Sequence, residues 1–109
     1  MPPTLTILRN EVDIAFVIFA LRIPWRRDDQ KLRFICPSCK GLDTSVNKKA
    51  NLGRCFTCSL NYNTIDLVMT FRGDKFRTAV DWLSSVKKLV DTDDGKLILS
   101  RQARATMLD

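Results

Sequence analysis

Four cysteines stand in two pairs, Cys36-Pro37-Ser38-Cys39 and Cys55-Phe56-Thr57-Cys58, with fifteen residues between them. A two-residue insert turns the backbone so that both sulfurs of a pair reach one ion, at about 2.3 Å for zinc. Two such knuckles joined by a short hairpin complete a tetrahedron. Four thiolates leave no coordination position for water or substrate, so the ion would hold the fold and take no part in chemistry. The spacing therefore points to one structural Zn(2+) on Cys36, Cys39, Cys55 and Cys58. Other chemistries use the same residue types. A rubredoxin-like iron also takes four thiolates. Two disulfides would suit a small secreted chain, but nothing here indicates secretion. A redox pair would place one Cys-x-x-Cys at a helix start, not two in a strand-rich region.

Groups for catalysis are scarce. The chain has no histidine. Asp66 reads as a helix-capping partner, while Asp81, Asp91, Asp93 and Asp94 make no paired acid–base constellation. No glycine-rich phosphate loop is present. The chain alone is therefore expected to be non-catalytic.

Basic residues surround the knuckles. Residues 1–60 hold ten Lys/Arg against five Asp/Glu, and residues 61–109 hold eight against seven, within a net charge of +6. A basic first half suggests a polyanionic partner. If residues 32–58 form antiparallel strands, Arg33 and Arg54 share a face with the loop that carries Lys48 and Lys49, and could contact phosphates there. Arg26 and Arg27 precede the module. Trp25 and Phe34 offer rings for stacking on unpaired bases. Phe56, between two ligands, reads more readily as packing over the small metal core, and Trp82 as a core or interface residue.

The elements that must position these groups follow from period and punctuation. At 109 residues, with 45% hydrophobic and 28% charged residues, the chain is one domain, or one domain with tails. Residues 1–9 form a lead, extended over Leu5-Thr6-Ile7-Leu8. Asn10 caps a helix with Asp13 as its reciprocal partner, and Ile23-Pro24 ends it. Its apolar arc is wide enough to pack against more than one element. Short strands are expected over Leu32–Cys36, Thr44–Asn47 and Leu52–Phe56. Asn63, with Asp66, caps a second helix that Gly73-Asp74 breaks. Phe76, Ala79, Val80, Leu83 and Val86 recur at helical intervals. Asp91 to Gly95 reads as a turn, and residues 96–109 as a strand or short helix. The apolar run from Ile14 to Ile23 is about half of the roughly 20 residues a membrane span needs. No secretory signal pattern is visible, so a cytoplasmic protein is expected.

The sequence resembles the zinc-binding domain of bacterial and phage DNA primases over about residues 10–85. The likeness lies in Cys36-Pro37-Ser38-Cys39, Cys55-Phe56-Thr57-Cys58, the segment Asn63-Thr64-Ile65-Asp66-Leu67-Val68-Met69, and Phe76-Arg77-Thr78-Ala79-Val80. Cys39 stands where the family has histidine, as in some four-cysteine phage versions. Asp43-Thr44-Ser45-Val46 replaces a Thr-Pro-Ser-Phe stretch, and the glycines after the second knuckle are absent. The resemblance implies a small α+β fold, a zinc-ribbon β-hairpin or sheet flanked by helices, over residues 10–87. Residues 88–109 would be a tail or a partner-dependent element. It also implies that hairpin residues, by position Arg33, Lys48, Lys49 and Arg54, contact single-stranded DNA. The family continues into a polymerase domain, whereas about 25 residues follow Ser85 here. The expectation is thus a stand-alone accessory protein that supports primer synthesis or DNA replication with a separate polymerase, primase or helicase. The competing expectation is a zinc-stabilised protein–protein adaptor without nucleic-acid binding.

Overall fold

Short alternating runs in the first half and longer helical periods on either side fold as a small α+β structure. The computed structural model describes residues 5–108. Among them the order is α1 (Leu5–Asn10), α2 (Ile14–Ala20), β1 (Trp25–Asp28), β2 (Lys31–Phe34), β3 (Thr44–Asn47), β4 (Leu52–Cys55), β5 (Leu60–Tyr62), α3 (Thr64–Arg72), α4 (Phe76–Val90) and α5 (Asp93–Thr106). No helix of the described residues is long and apolar enough to cross a membrane.

The five strands form one antiparallel sheet in chain order. Each therefore pairs with its sequence neighbour through a turn or knuckle. The β1–β2 turn holds Asp29 at φ 52° and Gln30 at φ 70°. Left-handed backbone at both central positions is the two-residue turn whose twist suits a hairpin. Side chains then alternate between faces. Leu32 and Phe34 are buried, while Lys31 is exposed and Arg33 half-buried. Gly53 makes room for Phe34 beside it: a Cβ there would lie 2.6 Å from Phe34 Cζ.

The start of the chain departs from expectation. Residues 5–10 are helical, not extended, and Asn10 closes that helix instead of capping the next. Asp13 is the cap of α2, its Oδ1 accepting from Ala15 N at 2.9 Å. That helix stops at Ala20, ahead of Ile23-Pro24. Its end is a left-handed Arg22 (φ 57°), with Ile23 N donating to Ile18 O at 3.1 Å. The wide apolar arc is used on two sides. Ile14 and Ile18 join the core beneath the sheet, and Val17 joins a second core with Leu8, Val68, Leu83 and Val86.

Asn63 caps α3 as expected, accepting from Asp66 N at 2.8 Å, and Asp66 Oδ2 accepts from Asn63 N at 3.1 Å. Gly73 (φ 70°) ends the helix. In α4 the helix-facing residues Ala79, Leu83 and Val86 are buried, and Arg72 lies 4.8 Å over the half-buried Trp82 ring.

Residues 93–106 form a full helix, capped by Thr92, whose Oγ1 accepts from Gly95 N at 3.0 Å. Gly95, Leu99 and Ala103, four apart, make its buried edge. A Cβ at Gly95 would overlap the Leu89 carbonyl and main chain at the end of α4. Gly95→Ala is therefore expected to push α5 off its seat and lower stability by about 1–3 kcal/mol, as overpacking does. Urea denaturation checks this; an unchanged midpoint would show that the α4–α5 corner tolerates the methyl group.

One polar residue locks the β3–β4 hairpin to the helices. Asn51, buried and left-handed at φ 54°, accepts from Ile14 N at 2.9 Å through Oδ1. Its Nδ2 donates to Arg9 O at 2.8 Å and Val12 O at 2.7 Å. These bonds satisfy backbone groups in the α1–α2 link that have no helical partner.

Candidate functional site

The knuckles begin where β2 and β4 run out. Each repeats one backbone device. Lys40 N donates to Cys36 O at 3.0 Å, and Ser59 N to Cys55 O at 2.8 Å. The residue after each second cysteine is left-handed, Lys40 at φ 65° and Ser59 at φ 58°. Amides point at sulfur in both, Ser38 N to Cys36 Sγ and Cys58 N to Cys55 Sγ, each at 3.4 Å. Thr57 Oγ1 donates to Asp43 Oδ2 at 2.7 Å and ties the second knuckle to the loop after the first.

The turns bring all four sulfurs within 4.8 Å of one another. Between knuckles, Cys36 Sγ is 3.9 Å from Cys58 Sγ, and Cys39 Sγ is 3.7 Å from Cys55 Sγ. A tetrahedron with sulfurs about 2.3 Å from a central ion has edges of about 3.8 Å, so the donor set fits. The four are free cysteines, and these separations far exceed the roughly 2.05 Å of a disulfide. The four cysteines are thus arranged to bind a metal ion.

Electrostatics favour a cation. Cys36 and Cys55 are fully buried. Burial opposes ionisation of Cys36, but hydrogen bonds from Tyr62 and from the Cys39 and Ser38 backbone outweigh it and bring the thiol down to about 6. Cys58 moves the other way, to about 12, through burial and then the neighbouring Cys39, Cys55 and Cys36 sulfurs. Cys39 is also raised: the Gly41 backbone hydrogen bond lowers it, as does Cys58, but desolvation with the Cys36 and Cys55 sulfurs outweighs them. Negative charge on one sulfur thus keeps protons on others, a conflict that one bound cation removes. Tyr62 supplies outer support, its hydroxyl 3.5 Å from Cys36 Sγ. Burial, then that contact, hold its phenol well above the usual tyrosine range. Sequence reasoning passed over Tyr62. The available signal is its register opposite Gly53, two residues from the buried Cys55 on the same face of β4.

The outer face of the sheet carries a polar row. Arg26 stands opposite Arg33, Arg33 opposite Ser45, Ser45 opposite Arg54, and Arg54 opposite Asn61. Residues in such register share a face, so Arg33 and Arg54 do lie together. Asp28 contacts part of the row, 3.3 Å from Arg33 Nε and 3.8 Å from Arg26 Nη2. The Arg33 Nε contact is an ion contact without hydrogen-bond alignment. Arg54 Nη1 donates weakly to Asn61 Oδ1 at 3.4 Å.

Beside the row runs an open groove of about 410 Å³, lined by Lys31, Lys48, Lys49, Arg54 and Phe56 among others. Lys48 and Lys49 are brought to Arg54 as expected. The aromatic there is Phe56, 62% exposed, and not the rings singled out from the sequence. Phe34 is fully buried. Trp25 is 5% exposed, with Nε1 donating to Ala103 O at 2.9 Å. Both point inward because strand alternation turns them away from the face of Arg33 and Arg26, so neither offers a face to a base. Arg27 lies on the α2 side of the sheet, away from the row.

No family model, curated protein or solved structure matches the chain.

Proposed function

We propose that this chain is a zinc-stabilised module that binds single-stranded DNA, akin to the zinc-binding domains of primases. In this reading it supports primer synthesis or DNA replication with a separate polymerase, primase or helicase. The observation that carries it is the exposed Phe56 ring beside Lys31, Lys48, Lys49 and Arg54, directly next to the metal knuckles. Lysines and arginine neutralise phosphates without reading sequence. An exposed ring accepts the face of any unpaired base. The metal's part is structural: it holds Cys55 and thereby sets Arg54 and Phe56 on either side of a fixed ligand. Zinc is the ion proposed because a closed, four-thiolate tetrahedron is its usual structural site.

Fluorescence anisotropy of zinc-loaded protein with a mixed-sequence 20-nucleotide strand, at several salt concentrations and beside a duplex control, tests the reading. Affinity is expected to fall as salt rises and to favour the single strand. The double variant Arg33→Ala/Arg54→Ala should lower the salt slope, by about 0.7 for each phosphate that is no longer neutralised. Phe56→Ala should cost roughly 1–3 kcal/mol of binding. Folded protein that binds no strand at low salt would favour the adaptor reading. That reading has in its support Leu97 and Ile98, about half exposed on α5.

A further inference from the structure

A second recess lies round the corner of the hairpins from the groove. It measures about 300 Å³ and sits between α2 and the tips of the β1–β2 and β3–β4 hairpins. Ala15 and Phe19 of α2, with Leu32 and Val46 of the sheet, give it apolar walls. Lys31, Val46 and Lys48 line both this recess and the groove beside Phe56. The two depressions therefore adjoin, with two lysines at the junction. Neither lysine has a carboxylate partner among the described residues.

We infer that this recess receives one unpaired base of a strand whose backbone crosses Lys31 and Lys48, so that occupancy selects single strands over duplex. The inference rests on the nucleic-acid reading above. A paired base is held in its stack and reaches such a recess only after extrusion, whereas an unpaired base swings in freely. The apolar walls suit the faces of a base, and the lysines suit the phosphates on either side of it. The polar groups suit its edge. Asp13 Oδ1 is engaged by Ala15 N at 2.9 Å, which leaves Oδ2 as an acceptor. A carboxylate acceptor favours an exocyclic amine, so cytosine is preferred to thymine. Gln30, held on the rim by the left-handed turn, adds an amide.

The test uses the full zinc-loaded chain with 12-nucleotide oligo-dC, oligo-dT and a 12-base-pair duplex. Ala15→Met fills the recess from α2 with a good helix former. Gln30→Gly removes the rim amide and suits the φ of 70°. Thermal midpoints establish that both variants fold. Ala15→Met is expected to weaken oligo-dC binding about tenfold, to leave duplex affinity unchanged and to erase the preference for dC over dT. Gln30→Gly should weaken oligo-dC binding by a smaller factor. If both folded variants bind single strands like the parent while Arg54→Ala still weakens binding, the recess takes no base and the groove reading stands alone. If the parent binds neither strand nor duplex, both readings fall together. If an acidic, leucine-bearing peptide binds the parent and loses affinity with Ala15→Met while oligonucleotides do not, the recess is a peptide site and the inference is overturned.

Discussion

Cys55→Ser is expected to unfold the sheet. Cys55 is fully buried, closes β4, and pairs in register with Thr44 on one side and Leu60 on the other. A structural zinc site contributes roughly 10–16 kcal/mol of apparent folding free energy. A whole domain of ordinary size is stable by only about 5–15 kcal/mol. Losing the metal term would therefore remove an amount comparable to a whole domain's stability. Residues 32–58 should lose their strand signal in circular dichroism, and the thermal transition should disappear or fall far below that of the parent. Chelator should do the same to the parent, and zinc should reverse it. A variant with the parent's spectrum and midpoint would show that the cores alone support the sheet.

Protons compete with the ion for the same sulfurs. The folded Cys36 thiol is lowered to about 6 from 9, so its stabilising share is full above the unfolded value and is lost as pH falls through the folded one. A bound cation lowers every ligand further. Metal release, followed by a colorimetric metal assay, is accordingly expected to increase as pH falls, because protons displace the ion from the four sulfurs.

Asn51→Ala should have the next largest effect. The truncation leaves the Ile14 amide and the Arg9 and Val12 carbonyls without their side-chain partner. Each buried polar group left unpaired costs about 1–3 kcal/mol. Alanine also fits φ of 54° less well than asparagine. A combined loss of about 3–5 kcal/mol is expected, measured by urea unfolding with zinc present. Asn51→Asp should not rescue it, because a second carboxylate oxygen would face two carbonyl oxygens. A loss below about 1 kcal/mol would mean that water replaces the amide.

The sequence discloses local signals better than distant ones. The metal cluster was legible because its geometry is set by two-residue inserts, and the α3 cap because Asn63 and Asp66 bond across one turn. The Thr44–Asn47 strand also stands at its expected bounds. Strand β1 was hidden because Asp29-Gln30 makes its turn without the glycine that usually marks it. Leu5-Thr6-Ile7-Leu8 has β-favouring composition, but Leu8 is buried in the helical core and Thr64 Oγ1 donates to its carbonyl at 2.8 Å. Tertiary packing there overrides propensity. Gly95 disguised the start of α5 because it resembles a turn residue. It is needed instead for close approach to α4. The surface aromatic was misplaced for a simple reason of parity: with Cys55 turned inward to the metal, the next residue, Phe56, turns out.

The β3–β4 hairpin is anchored at both ends, by the knuckle at its open end and by Asn51 at its tip. Loops that order on binding forfeit about 0.5–1.5 kcal/mol for each rotamer-rich side chain they immobilise, besides their backbone entropy. Here the backbone under Lys48, Lys49, Arg54 and Phe56 is already set before any ligand arrives. A ligand on this face meets a preorganised platform, so association should proceed without a slow conformational phase. Weakening either anchor should then reduce the affinity of any ligand of the groove, although neither the cysteines nor Asn51 line it.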